Sequence, residues 1–392
     1  MQINKVRVHQ IKLPFSFDFS HSLRKRSSAK NVIVEIIAEQ DKIKGYGEGA
    51  PRSYVTGESQ EGVAESIWRF TQHDNFPWDL NDASQIWDFI DTLSNSKDHN
   101  SAICAVETAL LDALGKSQSR PVIEYFPHDF YTGTVYYGSA IPLGDKQCTI
   151  DFGRMAKKMK INKLKLKMGK NYKQNKENIA AVRQMFGEDY DLKIDVNGVW
   201  DLNLASRHVS LINRYKVKVL EQPMMPDDPD LADFAGVMKS SGVTLMADES
   251  VCTLKDVERI SAQGHYEMVN VRLSKCGGIR NSLKMIDDLR AKGILFQIGC
   301  HLGESGILSA AGRLLCLLCG DAVYYEGSYD EFLLKENITR ENVSFGSGGK
   351  AGPLTGPGLG VEVNRQNLAR LSEISESMTR PATLKHGFLL QN

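Results

Sequence analysis

The chain has 392 residues, with 48 Lys+Arg against 48 Asp+Glu and 42% hydrophobic residues. That length suits two domains with a large core, and the even charge balance argues against a nucleic-acid or acidic-surface partner. No run approaches the ~20 apolar residues of a membrane span, and the first residues form no apolar leader, so neither a membrane nor a secretory route is expected. The seven cysteines are scattered and odd in number, which fits free thiols in a reducing cytoplasm.

Residues 1–130 show no regular strand–helix period. Residues 6–11 and 31–37 read as strands, and Gly45 to Pro51 as a turn-rich strand end. Helices follow over 59–70, 84–93 and 101–116, the last with Ala102, Val106, Ala109, Leu110 and Ala113 on one face. Three strands followed by helices predict an α+β domain.

Beyond residue 130 the pattern changes. In Lys163-Leu164-Lys165-Leu166-Lys167, lysine alternates with leucine, so a strand places the lysines on one face. Taken alone, this also reads as an edge strand with a solvated lysine face. Asp195, Glu221 and Asp248 then each close an apolar, strand-like run, at successive intervals of 28, 26 and 27 residues from Lys167. One strand, one helix and their loops in a (β/α)8 barrel take about 30 residues. The spacing thus predicts four charged strand ends at one end of a barrel, the end that carries the active site in such folds. Three converging carboxylates repel one another unless a cation sits among them. Oxygen donors alone favour a hard ion, Mg²⁺ first and Mn²⁺ second.

The remaining barrel strands are expected at 134–141 (first), 269–275 (sixth), 295–301 (seventh) and 323–326 (eighth). Cys316 and Cys319 have redox spacing but sit in an apolar helical run, which reads as core. The glycine-rich stretch 346–360 leads into no helix, so it is not a phosphate loop.

The run from Lys165-Leu166-Lys167 through Asp195-Val196-Asn197, Glu221-Gln222-Pro223 and Asp248-Glu249-Ser250 resembles the enolase superfamily. Within it, the chain is most similar to the muconate-lactonizing subgroup of the mandelate racemase/muconate lactonizing enzyme family. The resemblance implies an α/β chain: an α+β capping domain over 1–130, a (β/α)8-type barrel over 131–355, and a segment 356–392 that returns to the cap. It also implies abstraction of a proton α to a carboxylate, with a metal stabilising the enediolate.

In that chemistry Asp195, Glu221 and Asp248 are the expected ligands and Lys167 the base. Lys165 lowers the base's pKa and contacts the substrate carboxylate. Asn197, Glu249, Asn270 and Glu304 are expected to support them, and His21, Arg24, Tyr54, His301 and Glu326 to line the substrate pocket. Where relatives have Asn-x-Lys on the sixth strand, this chain has Asn270-Val271-Arg272. Strand parity turns Asn270, Arg272 and Ser274 to one face, and Lys275 matches a second family lysine that is not the base. Arginine is a poor base and a good fixed cation.

A one-base reaction is therefore ranked first: cycloisomerisation, then syn elimination. The alternative is a racemase or epimerase of N-acyl amino acids or dipeptides. That alternative is weakened because Glu326-Gly327-Ser328 lacks the Asp-x-Asp pair of dipeptide epimerases. A non-catalytic metal-binding scaffold is a third reading. The expected partner is a small carboxylate, and a homo-oligomer is expected.

Overall fold

The computed structural model describes residues 1–21, 24–93 and 96–381. The capping domain opens with a long antiparallel pair, β1 (Ile3–His21) and β2 (Arg24–Ala38), flanked by β3 (Ile43–Gly49). The pairing runs from Ile3↔Ala38 to His21↔Arg24, so the backbone at His21 and Arg24, both expected to line the pocket, continues the strands. Helices α1 (Gln60–Thr71), α2 (Ala83–Thr92) and α3 (Asn100–Ser117) follow. Ser59 caps α1 by accepting from Gly62 N, and Asp82 closes a capping box with Gln85 on α2.

The strand end expected at 45–51 and the helix expected at 101–116 are both present, but their surroundings differ from the local pattern. Gly45, Gly47 and Gly49 are not turn residues but alternate along β3 on the face that meets α3. A Cβ at these positions would stand 2.3, 2.1 and 2.3 Å from backbone atoms of Ala113, Ala105 and Ser101. Only hydrogen at Cα lets the helix lie directly on the strand. Helix α3 is also not amphipathic: every side chain from Asn100 to Gly115 is buried. The sheet covers one side of it and the barrel the other, where Glu107 accepts from Ile279 N and Arg280 N at 2.6 and 2.8 Å.

The expected first barrel strand divides in two. Its first part, β4 (Val135–Tyr136), leaves the barrel to pair elsewhere, and β5 (Ser139–Ile141) begins the barrel. Then come β6 (Lys163–Lys167), β7 (Asp191–Asp195), β8 (Val219–Glu221), β9 (Thr244–Ala247), β10 (Met268–Arg272), β11 (Leu295–Gly299) and β12 (Tyr324–Tyr325). These eight parallel strands are hydrogen-bonded in chain order. The Gly138 N–H donates to Tyr325 O at 2.9 Å across the seam between first and last.

The crossovers contain α4 (Lys146–Lys158), α5 (Tyr172–Phe186), α6 (Leu202–Arg214), α7 (Leu231–Ser240), α8 (Leu254–Gln263), the single turn α9 (Leu273–Cys276) with α10 (Gly278–Ala291), and α11 (Gly306–Leu318). After β12 comes the short α12 (Asp330–Leu333). Strand β13 (Lys350–Ala351) pairs with β4, α13 (Arg365–Leu371) follows, and β14 (Ser372–Thr379) adds to the cap sheet beside β1.

Register explains the site. Lys167 is level with Asp195, Asp195 with Glu221, and Glu221 with Met246, two residues before Asp248. Val219, Met246, Met268 and Tyr324, on four of the barrel strands, form a small buried apolar cluster of their own. The Lys163 ammonium lies over the Tyr324 ring and donates to Val323 O at 2.6 Å, which uses it structurally. Glu48 ties the cap down: its carboxylate accepts from Ser305 N and Leu308 N, each at 3.0 Å, at the start of α11.

Candidate active site

The barrel mouth is a cleft of about 560 Å³ whose lining includes Tyr54, Lys165, Lys167, Asn197, Glu249, Arg272 and Glu326. Strand parity turns Lys165 and Lys167 inward while Leu164 and Leu166 pack into the core. Lys165 Nζ lies 3.2 Å from Glu221 Oε2 and 3.7 Å from Asp195 Oδ2, and it contacts Glu326 Oε2. Lys167 Nζ donates to Asp195 Oδ2 at 2.7 Å and to Asn197 Oδ1 at 2.8 Å. Across the mouth, Arg272 Nη2 contacts Asp248 Oδ2 and stands 3.7 Å from Glu221 Oε1. Asn270 Nδ2 steadies Glu221 Oε1 at 2.7 Å, and Asn197 Nδ2 donates to Glu249 Oε1 at 3.1 Å.

The electrostatics follow from these contacts. Burial disfavours the Lys165 ammonium, but Glu221, Glu326 and Asp195 outweigh it and raise its pKa well above the ordinary value. Burial would raise Glu326, yet Lys165 and Lys193 hold it at about 2. Burial would raise Asp195 as well, and Lys167 and Lys165 bring it below the usual carboxylate range. Glu249 goes the other way: burial, with Asp195 close by, pushes it up to about 7.

As arranged, among the described residues no three Asp, Glu, His or Cys side chains close round a common point; the strand-end acids are turned to cations instead. The donor chemistry nevertheless fits a hard divalent ion. Asp195 and Glu221 stand at one level on neighbouring strands, Asp248 follows two residues beyond that level on the next, and Glu249 Oε2 is buried with no hydrogen-bond partner.

Several expected residues stand elsewhere. Strand β10 ends at Arg272, so Ser274 and Lys275 lie on α9 rather than continuing the strand face. Lys275 is fully buried; its Nζ donates to Asp248 Oδ1, Asp248 O and Asn270 O at 3.0, 2.7 and 2.6 Å, holding that ligand candidate from behind the cleft. Ser274 Oγ accepts from Ala50 N of the cap.

His301 does not line the mouth. Its Nδ1–H donates to Ala50 O at 2.9 Å, and burial, with Arg272 and Arg52 near, lowers its pKa well below the ordinary value. Glu304 accepts from His301 N at 2.5 Å, and burial pushes it up to about 8. Tyr54 does line the mouth, with the Arg26 guanidinium 4.7 Å from its ring centroid. The side chains of His21 and Arg24 lie outside the described residues.

Sequence reasoning passed over Lys193. It is buried, donates to Glu326 Oε1 at 2.7 Å, contacts Gln297 and sits 4.2 Å over the Tyr324 ring. Its parity with Asp195 on one strand was the available signal. Tyr329 and Leu302, also on the cleft, carried none.

A family model described as "Mandelate racemase / muconate lactonizing enzyme, N-terminal domain" matches residues 3–126, and one described as "Enolase C-terminal domain-like" matches residues 151–367. The chain belongs to the mandelate racemase/muconate lactonizing enzyme family of the enolase superfamily. Within that family it is 28% identical to a hydrophobic dipeptide epimerase of Enterococcus faecalis, over 95% of this chain and 98% of the relative.

The crystal structure of N-succinyl Arg/Lys racemase from Bacillus cereus superposes with a TM-score of 0.83 at 25% identity, covering 96% of this chain and 100% of the other. That of the dipeptide epimerase from Enterococcus faecalis V583, complexed with Mg and the dipeptide L-Leu-L-Tyr, gives 0.80 at 25%, covering 92% and 100%. The barrel with its cap and the isomerase class are therefore as the sequence led one to expect. The order of the isomerase readings is not: these family members are epimerases and a racemase, so the cycloisomerase ranked first gives way to the racemase or epimerase ranked behind it.

Proposed function

We propose that the chain is a metal-dependent epimerase or racemase of N-acylated amino acids, dipeptides included, that removes and returns the proton α to a carboxylate. One observation carries the reading. Lys167 on β6 and Arg272 on β10 are four strands apart in an eight-stranded barrel, so they face the mouth from opposite walls. Inverting a carbon centre needs a proton taken on one face and supplied on the other.

Lys165 stays protonated and meets the substrate carboxylate. Lys167 removes the α-proton, and Arg272 supplies one from the far side. Asp195, Glu221 and Asp248 would hold Mg²⁺, with Mn²⁺ as substitute; the ion supplies positive charge for the negative charge developing on the substrate carboxylate. Asn270 and Lys275 fix Glu221 and Asp248, and Asn197 fixes Lys167.

The identity of Arg272 favours a second reading. Arginine gives up its proton poorly, and with Lys167 as sole base the product is that of cycloisomerisation or syn elimination. Incubating the enzyme with Mg²⁺ and a panel of dipeptides and N-acyl amino acids in deuterated water separates the two. Deuterium at the α-carbon with appearance of the other epimer is expected. Exchange with retained configuration, or an unsaturated or cyclised product, would establish the one-base reaction instead.

A further inference from the structure

A second cleft opens beside the mouth. Ala140, Leu302 and Tyr329 border both. The walls are apolar and come from separate parts of the chain. Phe152 and Met155 on α4, with Met159 just past its end, are three and four residues apart and so share one helix face. Phe17 of β1 packs edge-on to Phe152 at 5.5 Å, and Phe332 of α12 meets Phe345 at 5.1 Å.

Among the described residues, no charged side chain lines the chamber. The Tyr329 hydroxyl, one of its few polar groups, is already spent on Gly138 O at 2.8 Å. Toward the outside, Phe17 and Met155 are 37% and 53% exposed, so the chamber has an apolar rim.

We infer that this chamber takes a large apolar group of the substrate, an aliphatic or aromatic side chain or acyl group, and rejects a charged one. The inference rests on the proposed reaction for the placement of the substrate. The α-carbon must stand between Lys167 and Arg272, and a substituent reaching past Ala140, Leu302 and Tyr329 enters the chamber. A carboxylate, ammonium or guanidinium there would lose its hydration and meet no partner. The apolar walls therefore select within the family's varied substrates, and they point away from Glu, Lys or Arg at the position that enters.

Calorimetric titration of the Mg²⁺-loaded enzyme with L-Leu-L-Leu, L-Ala-L-Ala, L-Ala-L-Glu and L-Ala-L-Lys tests this, with α-proton exchange followed in parallel. L-Leu-L-Leu should bind at least about 10-fold more tightly than L-Ala-L-Ala, the scale for added methylenes in an apolar pocket. It should also show the larger negative heat-capacity change. Met155→Glu, at an exposed position that tolerates charge, should reduce that preference severalfold or more; Phe152→Glu, deeper in, should remove it. Equal binding of L-Leu-L-Leu and L-Ala-L-Ala, or tighter binding of a charged dipeptide, overturns the inference. So does a change of oligomeric state in Met155→Glu, which would make the rim a contact between copies of the chain. If the binding order holds without any α-proton exchange, the chamber stands and the proposed reaction fails.

Discussion

Replacing Arg272 with methionine distinguishes a proton donor from a fixed charge. The guanidinium contacts Asp248 and lies 3.7 Å from Glu221 Oε1. At an effective dielectric of ~20, a unit charge at such a distance interacts by about 4 kcal/mol before desolvation is subtracted. Loss of one preorganised electrostatic group typically lowers kcat by ~10²–10³.

On the Lys167 face Arg272→Met should therefore slow exchange by about that factor and no more, because Lys167 keeps its place against Asp195 and Asn197. On the opposite face the same substitution removes the proton as well, so exchange there should fall further, to background. The assay starts from each epimer separately in deuterated water and follows α-deuteration by NMR or mass spectrometry. Arg272→Lys, which can lose a proton, should restore part of the second-face exchange. Equal loss from both epimers would refute the reasoning and leave Arg272 as a charge only.

Asp195→Ala, Glu221→Ala and Asp248→Ala should each abolish Mg²⁺-dependent exchange and weaken Mg²⁺ binding by calorimetry while circular dichroism stays native; full activity in any one removes that residue from the ligand set. Glu107→Ala leaves the buried Ile279 and Arg280 N–H groups at the start of α10 unpaired, and should cost about 1–3 kcal/mol in denaturant unfolding. Burial raises Glu58 to about 7 in the folded chain, above its ordinary 4.5. Its stabilising effect is complete below the unfolded value and lost as pH rises through the folded one. The stability of wild type relative to Glu58→Gln should thus fall between pH 5 and pH 8; an unchanged or rising difference would contradict the assignment.

How far the sequence reaches can be judged residue by residue. Alternation in Lys163–Lys167 and the near-constant spacing of Asp195, Glu221 and Asp248 were enough to place a barrel, its strand ends and its acids. Side-chain direction in a strand is a local property, and the repeat of a βα unit is a length. Parity would have revealed Lys193 in the same way. The identity of Arg272 was visible too, but its position across the mouth from Lys167 required the barrel to curl.

What covers a face is not encoded in the stretch that presents it. Gly45, Gly47 and Gly49 look like turn residues until α3 is laid against them, and α3 looks amphipathic until the barrel takes its other side. His301 was a pocket candidate until the cap backbone supplied Ala50 O. The apolar chamber draws on α4, α12 and the cap, segments distant in the chain, and no local pattern marks their meeting. Local periodicity thus determined the elements and the inward charges of this protein. The tertiary structure decided their partners, because contacts between distant segments depend on how the whole chain closes.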